Sequence, residues 1–459
     1  MGEAQGQEGK RSMEEIMEDY ALKRAPDYIR STVAAQFGMF GIPMCMYYLA
    51  VGSLSVAFAG LWMGILATLI AYGVFVLFAT VLGFVSWKGG YSYDMISRFS
   101  WGQTGSFLPS ILATYLLMSF WAMETHWMAV AFQKMWPVGN LWWFYLMLFP
   151  LFIVVPIFGH RALAFWNYGA VPLGIVATIY VLYHFYVIED FSASQTIQMS
   201  AKGIIPGGFG AALDWSLAAV GLWAVTAGNF GRFVKSRGWA LGTGIFQGAF
   251  AHVVFPIAGI FLVWPMVAAL TPEIGAEAAG QTAFLPSIPF VMAMGWAGVL
   301  IVVTYQLNIQ YINAYLPSVN LANFFSVLLK WEPGRKWWVV IVNIAGLVLL
   351  ALGIVSWIMV WSWTAGLTLG TVCIITIADI FYRWYKKIPT EYDVIPTAMR
   401  LWNPAAFLVF AIALVVGILD KLWWKLLPSP SILAYPVAFV LYWIISAVGQ
   451  GKHQKDIVE

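Results

Sequence analysis

The chain has 459 residues, 61% of them hydrophobic and only 10% charged, against roughly 25% charged in soluble domains, and this excludes an ordinary water-soluble fold. A formal net charge of +3 gives no nucleic-acid signal, because the basic residues fall where membrane topology uses them. Cys45 and Cys373 both lie in apolar stretches and read as small buried hydrophobes, so no disulfide is expected.

The first thirty residues are polar and show no cleavable signal peptide; within them KRSMEEIMEDYALKR, residues 10–24, predicts a short cytoplasmic helix stopped near Pro26. From Ser31 to Trp87 there is no Asp, Glu, Lys or Arg, and similar stretches run over Ala162–Ile188, Gly238–Pro272, Ala278–Leu329 and Trp337–Ala378. A spanning helix needs about 20 such residues. The pattern predicts twelve spans near 33–57, 60–86, 107–133, 141–159, 162–187, 212–231, 238–268, 289–314, 337–355, 357–382, 402–420 and 431–449. With the N-terminus inside, all but Lys134, Lys202, Lys421 and Lys425 of the 24 basic residues fall on the inner side. Both termini are therefore expected in the cytoplasm, and the chain in the plasma (inner) membrane.

Helix 1 reads QFGMFGIPMCMYY, with Gly38, Gly41 and Pro43 weakening its backbone ladder in mid-span. Helix 6, five spans later, reads AAVGLWAVTAGNFGRF, with Gly221, Gly228 and Gly231. Such paired interruptions suggest two inverted five-helix repeats with a binding site where broken helices expose carbonyls and N–H groups, although glycine also serves close packing between membrane helices. In helix 3, Glu124 interrupts the apolar run from Phe107 to Phe132, and a carboxylate at that depth is a functional candidate by default. Trp121, Glu124 and Thr125 stand at i, i+3 and i+4, so an aromatic plate and a hydrogen-bonding acid share one helix face.

Among other polar residues, His126 and His252 lie in mid-span, where a lone histidine is more often a packing residue than a functional one. Asp94 with Arg98 and Asp379 with Arg383 are spaced four apart and read as local ion pairs of under about 1 kcal/mol, with gate contacts as the alternative. There is no phosphate-binding glycine loop, metal-ligand cluster or nucleophile elbow, which argues against an ATP-driven pump and against an enzyme with catalytic residues.

The segment GGYSYDMISRFSWGQTGSFLPS at residues 89–110 resembles the loop between helices 2 and 3 of the nucleobase:cation symporter family, the cytosine, purine, allantoin and hydantoin permeases, most closely the bacterial cytosine permease type. MFGIP (Met39 to Pro43), GNFGRFVKS (Gly228 to Ser236), LNIQYINAY, LAN (Leu321 to Asn323) and ADIFYRWY fall in register with the same family. The resemblance implies an all-α integral membrane protein with a LeuT-like 5+5 inverted repeat. It divides the chain into a cytoplasmic tail (1–30), a ten-helix transport core (31–400), and two additional helices with a cytoplasmic C-terminal tail (401–459).

It also implies a secondary active transporter that imports a nucleobase or related nitrogen heterocycle by alternating access, driven by H+ or Na+ and using no cofactor. The family's stacking residues correspond to Trp121 and Trp223, with Phe120 competing for the first place. Its polar contacts correspond to Glu124 or Thr125 on helix 3 and to Asn308 and Asn313 on helix 8, with Gln310 as a further candidate. A sodium site would use the carbonyls of Gly41 and Met44 together with Asn308, but Tyr311 and Ile312 stand where hydroxyl ligands are wanted. A proton on Glu124 is the simplest replacement, since low-dielectric surroundings favour its neutral form.

The expected partners are thus a small heterocyclic solute and the lipid bilayer, with no nucleic acid and no obligate protein partner. Two other readings stay open. An acid in an aromatic cage also suits a cationic solute such as thiamine or a quaternary amine, and a channel or receptor is the second alternative.

Overall fold

The computed structural model describes residues 13–40, 43–137, 139–388 and 400–449, which are helical with no strand among them. Nine helices of the described residues are long and apolar enough to cross a membrane. After α1 (Met13–Glu18), the first span is split into α2 (Thr32–Phe40) and α3 (Met46–Ala59). It is followed by α4 (Leu61–Gly89), the short α5 (Tyr93–Trp101) and α6 (Phe107–Met135). The fourth span is two pieces, α7 (Leu141–Leu148) and α8 (Leu151–Ile157), where one helix over 141–159 is predicted. The junction holds Pro150, which lacks the N–H that would continue the ladder.

The fifth span is α9 (His160–Tyr183), and a short helix α10 (Ala193–Met199) leads to the second half. There the sixth span divides into α11 (Gly208–Leu217) and α12 (Val220–Phe230). Its break falls at Ala218–Ala219, ahead of the glycines that suggested it; Gly228 and Gly231 instead give room to Tyr93 and to the Gly83 carbonyl. The seventh span runs from α13 (Arg237–Gly242) through wider π-type turns into α14 (Phe255–Ile274).

Two short helices, α15 (Ala276–Gln281) and α16 (Ile288–Met294), precede α17 (Trp296–Leu329). That eighth span starts later and ends well beyond the expected 289–314. Gly295, at a φ of 57°, turns the chain before it, and the sequence stays uncharged as far as Leu329. The remaining spans are α18 (Arg335–Ala351), α19 (Ile358–Tyr385), α20 (Pro404–Leu419) and α21 (Pro430–Gly449).

The packing repeats itself across the two halves. The first piece of the first span, α2, lies on α9, and its second piece, α3, lies on α14. Correspondingly α11 lies on α19 and α12 on α4. Each broken helix thus takes one neighbour from its own half and one from the other, as two inverted five-helix repeats require. Between α3 and α14 the backbones approach so closely that a Cβ on Gly52 would sit 1.8 Å from the Pro256 carbonyl oxygen. Small residues permit that approach where lipid supplies no hydrophobic drive.

One face of the bundle is closed by the N-terminal segment. The predicted helix over 10–24 ends at Glu18 instead of near Pro26, because Asp19 and Tyr20 take left-handed φ values of 46° and 55°; Lys10 to Ser12 lie outside the described residues. Such conformations cost energy for a bulky residue and persist only when the surroundings compensate. Here they aim the Asp19 carboxylate at His160 and Tyr315 and the Tyr20 carbonyl at Arg232. The segment also bonds through Ala25 to the Gly90 carbonyl and through Ser31 to the Phe233 carbonyl, which puts these loops on its face.

Candidate functional site

The break between α2 and α3 meets α6 and α17 at the centre of the bundle. Cys45 has an extended backbone, and the first α3 N–H, that of Met46, has no partner within its own helix. It donates instead to Gln306 Oε1 on α17 at 2.9 Å. The same Gln306 donates through Nε2 to Glu124 Oε2. The Cys45 thiol and the Tyr47 N–H also approach the Glu124 carboxyl, but its Oε1 bonds to no side chain or backbone group. Glu124, Gln306 and Asn308 have no exposed surface.

Asn308, two positions beyond Gln306, faces the other side of α17 and donates to the Met44 carbonyl at 3.2 Å. Of the expected cation-binding group, Met44 and Asn308 therefore meet, whereas Gly41 lies outside the described residues. Gln306, Gln310 and Asn313 stand at i, i+4 and i+7, one stripe of α17 turned toward α6. Gln310 donates to Thr125 Oγ1 at 2.6 Å and to the Trp121 carbonyl at 2.9 Å, and Asn313 donates to Gln310 Oε1 at 3.3 Å. Thr125 and Asn313 are thus joined through Gln310, one turn from the Glu124 pair.

The rings are distributed less simply. The Trp121 indole turns to α8 and α18, donating to Asn343 Oδ1 at 2.8 Å, meeting Phe152 edge-on and filling the space left by Gly346. Trp223 lies across the bundle, with its indole N–H on the Tyr48 hydroxyl and its ring against Phe75. Among the described residues these two rings share no ring neighbour. The neighbour Phe120 enters a cage instead, edge-on to Tyr47 at 4.8 Å and to Trp361 at 4.9 Å, with Trp215 5.0 Å from Tyr47. The Tyr47 hydroxyl donates to the Trp215 carbonyl at 2.7 Å, which ties α3 to the end of α11 beside its break.

Gln306, Tyr47, Trp215 and Trp361 were absent from the sequence expectation. Gln306 carried a readable signal, as an amide two residues from Asn308 in an uncharged helix; Tyr47, Trp215 and Trp361 carried none, because they are three among many rings in apolar spans. His252 is fully buried between Tyr48 and Phe75, and His126 bonds to the Tyr145 hydroxyl away from the centre.

A second polar cluster closes the N-terminal face. Asp19 accepts from the His160 backbone N–H at 2.8 Å, from His160 Nδ1 at 2.9 Å and from the Tyr315 hydroxyl at 2.9 Å. Burial works against its charge, but His160 beside it, then the Arg335 and Arg232 guanidinium groups, hold the carboxyl well below the usual carboxylate range. Both arginines are fully buried. Arg335 donates to the carbonyls of Met17, Pro156 and Ile157, and Arg232 to those of Tyr20 and Asn229.

The two carboxylate–arginine pairs expected nearby differ from a pair of surface contacts. Asp94 accepts from the Ser110 hydroxyl at 2.6 Å, and Arg98 reaches Asn323 on α17. Burial pushes the Asp94 carboxyl up to about 6, against the pull of the Ser110 hydroxyl and of the Arg98 and Arg232 charges. Asp379 and Arg383 do pair, at 2.6 Å, and also bind the Tyr442 hydroxyl and the Phe99 carbonyl, which fastens α19 to α21 and α5.

No family model matches the chain, and no curated protein matches it. Solved structures do. Over 92% of this chain and 95% of the other, it superposes with a TM-score of 0.69 and 18% identity on Mhp1, a nucleobase-cation-symport-1 family transporter, in a closed conformation with bromovinylhydantoin bound. The inward-facing conformation of Mhp1 gives 0.68 at 18% identity over 92% of each chain. A substrate-bound, outward-open Na+-coupled sialic acid symporter gives 0.64 at 14% identity over 95% of each. At these identities the likeness establishes the fold, and the chain has the LeuT-like five-plus-five inverted-repeat architecture of these transporters.

Proposed function

We propose that this protein belongs to the nucleobase:cation symporters and is a secondary active transporter that carries a nucleobase or similar nitrogen heterocycle together with a cation by alternating access. The observation that carries the reading is the meeting of a broken helix with a buried acid and amides: the Met46 N–H, Gln306 and Glu124 converge beside a cage of rings, all sealed from both faces. A flat heterocycle leaving water needs both, faces to stack on and partners for its ring N–H and C=O groups. The stacking faces are proposed as Trp223 and one of the adjacent pair Phe120 and Trp121; the edge contacts are proposed as Glu124, Thr125, Asn308 and Asn313.

For the driving ion we favour a proton on Glu124. The Met44 carbonyl already accepts from Asn308, and from Tyr305 to Asn313 the helix offers no serine or threonine hydroxyl to a hard cation. The N-terminal face is proposed to be cytoplasmic, with the Asp19 cluster on the side that opens for release. The same cage favours a second reading, a cationic solute held by Glu124 and by cation–π contact with Tyr47, Phe120, Trp215 and Trp361.

Thermal shift of the purified protein against cytosine, adenine, allantoin, hydantoin and thiamine, each with and without sodium, tests these readings. Stabilisation by a neutral heterocycle supports the first and by thiamine alone the second; a ligand at 100 times its dissociation constant adds about 2.7 kcal/mol. Stabilisation by none of them would count against both.

A further inference from the structure

We propose that Gln306 is a positioning residue that decides which oxygen of Glu124 carries the coupled proton, an assignment that rests on the proton-coupled reading above. A glutamine amide has one accepting end and one donating end. The accepting end of Gln306 is committed to the Met46 N–H at the start of α3, a backbone donor with no helical partner. Turning the amide over would set its NH2 against that N–H, two donors face to face, so the donating end stays on Glu124 Oε2.

Oε2 is thereby an acceptor in both protonation states. The proton goes to Oε1, the oxygen that bonds to no side chain or backbone group. In the neutral acid Oε1 is an O–H donor, suited to a solute that presents a carbonyl or an unprotonated ring nitrogen; in the ionised acid it is an acceptor.

The titratable groups facing this carboxyl are the Cys45 thiol and the Tyr47 and Tyr48 hydroxyls from α3 and the Tyr305 hydroxyl from α17. None of them is a cation or a second carboxylate, so no charged neighbour competes with the amide in setting the proton's position. The break in the first span is coupled to the same atoms, because the N–H that holds Gln306 in its orientation is the N–H that begins α3.

Infrared titration of the purified protein tests the assignment without a transported solute. The carboxyl C=O band present in the wild type and absent from Glu124→Gln belongs to Glu124. In Gln306→Leu, Oε2 loses its donor, so this band is expected at higher wavenumber, and its titration midpoint moves to higher pH by on the order of 1 unit, the value of one hydrogen bond to a charged group. Gln306→Met leaves a weak sulfur acceptor for the Met46 N–H, offers Glu124 no donor and does not titrate, and is expected to move the midpoint in the same direction, which separates the effect from damage to the helix break. A Glu124 band that neither variant moves overturns the assignment and leaves proton coupling standing. No titrating band assignable to Glu124 overturns both.

Discussion

Asp19 and His160 lie 141 residues apart, and the carboxylate meets the imidazole with both oxygens, at 2.9 and 3.0 Å, and the backbone N–H at 2.8 Å. A carboxylate that close to a helix start and to two guanidinium groups closes the bundle face as a plug. Removing it takes a counter-ion from the buried Arg232 and Arg335, and breaking such a cluster costs about 3–5 kcal/mol. In Asp19→Ala, a cysteine introduced by Ser318→Cys, beside Arg335, should therefore react with an aqueous thiol reagent at least about tenfold faster than in the parent. Equal rates would mean that the segment covers this face without holding it shut.

The same carboxylate sets a pH expectation by its sign. Its value is depressed in the folded protein, so its contribution is present above the unfolded value and is lost only as pH falls through the depressed one. The labelling rate at Ser318→Cys, divided at each pH by that of the same cysteine in Asp19→Ala so that thiol ionisation cancels, should stay flat from about pH 5 to pH 8. A change across that range would point to another group.

Asp94 carries the opposite sign. Raised from 3.8 to about 6, its carboxyl contributes stability that is fully present below the lower value and is lost as pH rises through the upper one. Asp94→Asn keeps an oxygen for the Ser110 hydroxyl and cannot ionise, so its thermal stability should lack the fall between those values seen in the wild type. The difference at pH 8 is at most about 3 kcal/mol. Parallel curves for the two proteins would show that Asp94 does not ionise in this range.

Ring contacts are expected to separate along α6. Phe120→Ala should weaken heterocycle binding by about tenfold, since an aromatic pair adds roughly 0.5–1.5 kcal/mol beyond its buried area. Trp121→Ala should chiefly lower the melting temperature, because its indole fills the space at Gly346 and binds Asn343. Trp223→Ala should resemble Phe120→Ala, with phenylalanine at 223 retaining part of the affinity. Dissociation constants and melting curves for the three variants decide between the neighbours, and a larger affinity loss for Trp121→Ala would return the stacking role to it.

Orientation has its own test. Glu277, after α14, and Lys387, after α19, are both exposed, and the predicted spans put them on opposite faces. In intact cells an impermeant reagent should label a cysteine replacing Glu277 and miss one replacing Lys387. The reverse pattern would invert the whole assignment.

Much of this architecture was readable in advance because lipid leaves little choice: uncharged runs of the right length must become helices, and a broken one must line something polar. That logic singled out Glu124, whose role is proposed above, and found the split first span. It missed the break at Ala218–Ala219, since alanine carries no breaking signal and the interruption depends on what α11 and α12 pack against. It also could not tell Phe120 from Trp121, because neighbours on a helix differ by a rotation that only Asn343 and Gly346 reveal. The charge cluster at Asp19 was beyond it for a plainer reason. Its members come from the N-terminal segment, from the turn after α12 and from α9, α17 and α18, and no local pattern links them.

The cluster bears on how this protein tolerates alteration at its front end. A chain cut after Tyr20 would keep every membrane-crossing helix, yet Arg232 and Arg335, which both contact Tyr315, would lose the Asp19 carboxylate that the Tyr315 hydroxyl holds beside them, and Arg335 would lose Glu18 as well. Two cations left facing a bundle interior draw in water and small anions to satisfy themselves. Shortening the tail would then yield a protein that inserts normally but leaks, a fault that expression level and helix content alone would never betray.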